Sequence, residues 1–210
     1  MQLRYAIVFI LLFALVALAA LEITALAGAW SLHHDQKYDE EIAWLEGWEP
    51  FRPWDPGRVK TIESRELDRV RGELMAGRLD RAAAAMRTAR ARFRADGNGN
   101  DVQLVSLSVE VCTRAADRLE RNGRLAAAAD WNDSLFVVAV RADDERLRNA
   151  AVAAFVEGLD LRVRAGQPCA ALARVDWARR GLGGEIPQFS PATERELQDR
   201  CDRSRRAATR

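Results

Sequence analysis

The stretch Ala76-Gly77-Arg78-Leu79-Asp80-Arg81-Ala82 reads as a helix stop followed at once by a helix start, and the pattern comes back twice. Gly123-Arg124-Leu125 and Ala165-Gly166-Gln167-Pro168 repeat it, which puts the three turn glycines 46 and 43 residues apart. Five residues after each glycine stands an alanine (Ala82, Ala128, Ala171), small enough for two helices to approach closely. Helix faces continue from these alanines through Met86, Ala89 and Phe93, through Asn132 and Leu135, and through Val175 and Ala178. Leu147, Ala151, Ala154, Gly158 and Leu161 make the matching stripe on the first helix of the third hairpin. Evenly spaced equivalent turns are the mark of a helical-hairpin repeat.

Capping signals extend the reading outward. Asp55-Pro56 supplies an N-cap and a first-turn proline for a helix to about Met75, and a second helix ends near Ala95 at Asp96-Gly97-Asn98-Gly99-Asn100. Asp101 opens a helix to about Asn122, whose partner runs to about Val140. The apolar run 135–140 would suit a strand, but it has no partner strand and falls at a repeat-equivalent helix position. A third hairpin starts near Asp143 and continues past Trp177 to the stop at Gly181 and Gly184. Ser190-Pro191 then starts a polar helix, 193–206, suited to cap a stack.

Over residues 57–182 the chain resembles the tetratricopeptide-repeat superfamily, whose second helix begins Gly-x-x-x-x-Ala with a larger residue four positions on and a small one seven on. Gly77, Ala82, Met86 and Ala89 fit this pattern, and Leu135 fills the last position in the second copy. Val70, Ala116 and Leu159 stand where the family has a helix-contact glycine, and the unit exceeds the usual length of about 34 residues. The resemblance implies an all-α fold, a right-handed stack of about three hairpins with a C-terminal cap, and a surface for protein partners. A plain bundle of three hairpins is the alternative.

The N-terminal segment sets the compartment. Residues 6–21 carry no polar side chain, Glu22 interrupts, and 23–30 resume the run, so a helix over 6–30 is long enough for a hydrocarbon layer of roughly 30 Å. Tyr5 and Trp30 stand where interfacial aromatics are expected. Arg4 precedes the run and Asp35, Asp39, Glu40 and Glu41 follow it, which places residues 1–5 in the cytoplasm and everything after Trp30 outside, in a bacterial envelope. The competing reading is a signal sequence cleaved after Ala27, at the small-x-small motif Ala25-Leu26-Ala27. Residues 31–55 form an acidic juxtamembrane strap with Trp44, Trp48, Phe51 and Trp54, in which 39–48 is a short helix. Its tryptophans either pack the strap onto the helical domain, sit at the membrane interface, or form a ligand platform. The domain order is therefore an anchor at 6–30, a strap at 31–55, a repeat domain at 56–187 and a cap with a basic tail at 188–210.

A formal net charge of +1 argues against a nucleic-acid partner for the chain as a whole. The histidines are only His33 and His34, adjacent and outside the repeats, so neither a metal site nor a base for a serine or cysteine nucleophile is expected. No phosphate loop is present either, since Gly181 to Gly184 lacks a following lysine. These observations predict a non-catalytic module without cofactor that binds a protein partner in the envelope. Arg87, Arg90 and Arg94, at i, i+3 and i+7 and away from the Met86, Ala89 and Phe93 face, are the candidate partner-binding residues. An alternative partner for this arginine-rich face, with Arg92 on its flank, is an envelope polymer or lipid. Cys169 and Cys201 lie on consecutive helices of an exported domain and are expected to pair, leaving Cys112 as a buried thiol.

Overall fold

The computed structural model describes the backbone of residues 2–48, 50, 57–186 and 189–208, with side chains from 7 to 207 within those ranges. Phe51, Pro53, Trp54, the Asp55-Pro56 cap and the side chain of Tyr5 lie outside the described residues. All regular structure among those described is helical, and the chain divides into two compact units, Met1–Arg69 and Val70–Arg210.

In the first unit α1 spans Gln2–His34 and α2 spans Tyr38–Gly47. The apolar helix thus runs a turn beyond Trp30, and Ser31 to His34 belong to it and not to the strap. It ends because Gln36 adopts a left-handed φ of 56°, which lets Gln36 and Lys37 donate back to the carbonyls of His33 and Leu32 at 2.9 Å each. The chain then reverses, and Ile42 and Leu45 of α2 bury with Ala29 of α1 and with Ile62 of α3 (Arg58–Met75). Glu41, 1 % exposed, accepts from Arg65 Nε at 2.6 Å and lies 3.2 Å from His33 Nδ1. Arg69 pairs with Asp39 and, at 3.0 Å, with Glu66. His33 therefore faces a buried carboxylate.

The second unit continues with α4 (Leu79–Ala95), α5 (Val102–Arg121), α6 (Leu125–Ala139), α7 (Glu145–Arg164), α8 (Pro168–Leu182) and α9 (Pro191–Ala208). The three turns share one hydrogen-bond pattern. Gly77, Gly123 and Gly166 have φ of 69°, 72° and 76° and donate to Leu74, Glu120 and Val163, while Arg78, Arg124 and Gln167 reach back to Glu73, Leu119 and Arg162. That pair of bonds caps the outgoing helix, and a positive φ is the reason for glycine at each site. The first helices of the later hairpins begin alike too: the Asp101 and Asp144 carboxylates each accept two backbone N–H groups of the opening turn.

Packing follows the alanine stripes. Ala82, Ala89, Ala128, Ala171 and Val175 are fully buried, and α5 packs on α4 and α6, α6 on α7, α7 on α8, and α8 on α9, with α5 also touching α7. Gly158 marks a close approach of α6 and α7, since a Cβ there would lie 3.2 Å from that of Asn132. Phe136, Phe155 and Trp177 form an aromatic knot with centroids 4.7 to 6.4 Å apart, joining α6, α7 and α8. Beside it Asp133, 5 % exposed, accepts from Arg162 at 2.7 Å and from Arg174 Nε at 2.7 Å, and Arg174 also lies 4.5 Å over the Trp177 ring. A disulfide joins Cys169 of α8 to Cys201 of α9 with their Cα atoms 4.6 Å apart. Two charge-assisted bonds from Arg179 to Glu194, 2.6 and 2.5 Å, tie the same two helices.

Candidate interaction cleft on α4, α5 and α6

Helix spacing brings one side of α4 into a cleft. Ala83, Met86, Arg87 and Arg90 recur at three and four residues, so they project together over α5 and towards α6. On α5 the floor is Ser108, Val111 and Cys112, and on α6 the far wall is Ala127, Asp130, Trp131 and Ser134; together they enclose about 410 Å³. A second hollow of about 340 Å³ shares Ala83, Ala127 and Trp131 with the first and extends past Leu79 and Ala115 to Arg118 and Arg124. The two make a trough with Trp131 at its middle.

The charges in the cleft are unequal. Arg87 and Arg90 make no hydrogen bond or ion pair with a carboxylate among the described residues, and Arg90 is half-buried. Burial, and then the neighbouring Arg94, hold the Arg90 guanidinium below its usual range, so the charged form is short of compensation there. The one acid in the lining of the first hollow, Asp130, already bonds Arg162 at 2.7 Å. The floor is quiet: Ser108 Oγ lies 2.7 Å from the Leu104 carbonyl, and burial pushes the Cys112 thiol up to about 11, so it is not a thiolate at neutral pH. The first hollow is thus mainly apolar with an uncompensated cationic wall, and the second is more polar.

Of the three arginines singled out from sequence, Arg87 and Arg90 line the cleft, whereas Arg94 stands one turn on, exposed and outside the lining. Trp131 was not among the expected site residues. It sits one position off the buried face through Ala128 and Asn132, and that offset is the only trace it leaves in the sequence. No group of three or more His, Cys, Asp or Glu converges to hold a metal ion among the described residues. Compared with protein-family models, curated proteins and solved structures, the chain matches none, and the cleft is read from its own residues.

Proposed function

We propose that this chain is a non-catalytic, membrane-anchored protein-interaction module of the bacterial envelope, its tetratricopeptide-like right-handed hairpin stack held outside the cytoplasm by α1. The observation that carries the reading is the cleft's half-buried, carboxylate-free Arg90, beside Arg87 and facing Trp131. A partly desolvated guanidinium gains most from a carboxylate that arrives with its own apolar neighbours. A tryptophan walling a cleft is the residue type that most often anchors a protein interface. The partner is therefore an acidic protein segment that presents a carboxylate to Arg87 and Arg90 and an apolar side chain to Trp131. Three glycine turns with one bond pattern, and the packing of α5 on both α6 and α7, support the hairpin stack. Among the described residues one helix is long and apolar enough to cross a membrane, which supports the anchor, and an anchor raises the effective concentration of the cleft near envelope partners.

The test replaces Ser134, at the cleft rim, with a photo-crosslinking residue in the full chain in native membranes. A discrete protein adduct is expected, and it should vanish on Arg87→Glu/Arg90→Glu without a fall in melting temperature. An adduct indifferent to both reversals would overturn the assignment of the cleft.

A further inference from the structure

Along α1 the environment changes character partway. From Ile7 to Leu18 the large side chains are 46 to 71 % exposed on every face of the helix, so no single stripe offers itself to a partner helix. A helix that is apolar all round and covered nowhere suits a fluid hydrocarbon solvent. Beyond Leu21 the same helix becomes one-sided: Ala25 and Ala29 are 1 % and 9 % exposed, while Ile23, Leu26 and Trp30 remain out.

Trp44 makes the change. Its indole Nε1 donates to the Ala25 carbonyl at 3.1 Å, and its ring lies so close to Gly28 that a Cβ there would fall 2.5 Å from Trp44 Cε2. Two turns beyond Ala25, His33 joins Glu41 and Arg65 in a charge cluster. Such a cluster is costly inside hydrocarbon and ordinary outside it.

We infer that α1 is retained in the mature protein and that the bilayer covers only residues 3–21, the rest of α1 being the first helix of an extramembrane hairpin with α2. This rests on the anchor reading above and replaces the span of 6–30 with a shorter one. At about 1.5 Å per residue, residues 3–21 give roughly 28 Å, close to a hydrocarbon core of about 30 Å. Cleavage after Ala27 is opposed by the same geometry. Ala25, the first small residue of the motif, is helical and buried under Trp44, and a cut would remove the carbonyl that Trp44 bonds.

The experiment uses the full chain in intact membranes, with Phe13→Cys, Leu26→Cys and Trp30→Cys variants and a membrane-impermeant maleimide applied from the outer side. Wild-type protein, with its buried Cys112 and paired Cys169 and Cys201, sets the background. Expected are labelling of Leu26→Cys and Trp30→Cys, loss of labelling of Phe13→Cys that detergent restores, and an intact-protein mass that includes residues 1–27. Leu26→Cys protected like Phe13→Cys would overturn the boundary and leave the anchor standing. A mass lacking residues 1–27 would overturn retention. Equal labelling of all three would sink the anchor itself.

Discussion

Each unit holds a buried carboxylate between two basic residues: Asp133 between Arg162 and Arg174 in residues 70–210, and Glu41 between Arg65 and His33 in residues 1–69. What surrounds the two acids differs. Asp133 sits against an aromatic knot in a core shared by five helices and closed by a disulfide. Glu41 has beside it a small cluster of Ala29, Ile42, Leu45, Ile62 and Trp44. A buried ion pair contributes little net stability by itself, because desolvation offsets most of the attraction. The second unit can therefore rely on a large apolar core, whereas the first has only that small cluster and the close contact of Trp44 with Gly28.

The largest effect expected from this contrast is at Asp133. Asp133→Ala leaves Arg162, 5 % exposed, with the exposed Asp130 as its one acidic partner and leaves Arg174 without its acid, and losing one partner of a buried pair costs about 3 kcal/mol or more. Hydrogen exchange should show lost protection in α6, α7 and α8, with α2 unchanged. Unchanged protection in α6 would mean the cluster is ornamental to the core, and equal loss in α2 would mean the loss is not specific to the cluster's own helices.

A smaller effect is expected at the helix–helix contact of the first unit. Gly28→Ala drives a methyl into the Trp44 ring, and overpacking of that kind typically costs about 1–3 kcal/mol. In a Trp44→Ala background the same alanine has nothing to strike, so its cost should disappear in a double-mutant cycle. Exchange should rise over residues 25–47 alone. Equal costs in the two backgrounds would show that glycine is needed for something other than the indole.

The sequence makes the local rules legible and the distant contacts opaque. Gly77, Gly123 and Gly166 announce their turns because a positive φ has a residue preference, and Asp101 announces its helix because a cap has one. The Arg87 and Arg90 face is readable from a period of 3.6. Nothing local indicates that Trp44 reaches back to Ala25, or that Asp133 meets arginines 29 and 41 residues away. Two clues are visible in retrospect. Gly28 is a glycine inside a helical apolar run, where only a close neighbour justifies it. Asn132 lies on the buried alanine face of α6 with Asp133 next to it, and buried polar residues require partners.

The smallest effects test whether the second unit tolerates an electrostatic fault as its core implies. Burial and the neighbouring Glu120, Asp117 and Asp160 push the Glu157 carboxyl above the usual range, and Arg164, bonded to Glu120 at 2.8 Å, only partly offsets them. A folded-state value above the unfolded one means the folded chain takes up the proton more readily, so ionised Glu157 weakens the fold. The penalty is absent below the ordinary carboxylate range and complete above the raised value. Glu157→Gln should therefore raise the melting temperature at neutral pH and leave it unchanged in acid. Glu194 carries the opposite sign, because its bonds to Arg179 hold its carboxyl below the usual range. Its contribution is present above the ordinary carboxylate value and lost as pH falls through the depressed one. Glu194→Gln should lower the melting temperature at neutral pH and converge with wild type in acid. Shifts of the same sign in both variants would point to a general effect of net charge, and the assignment of each acid to its neighbours would fail.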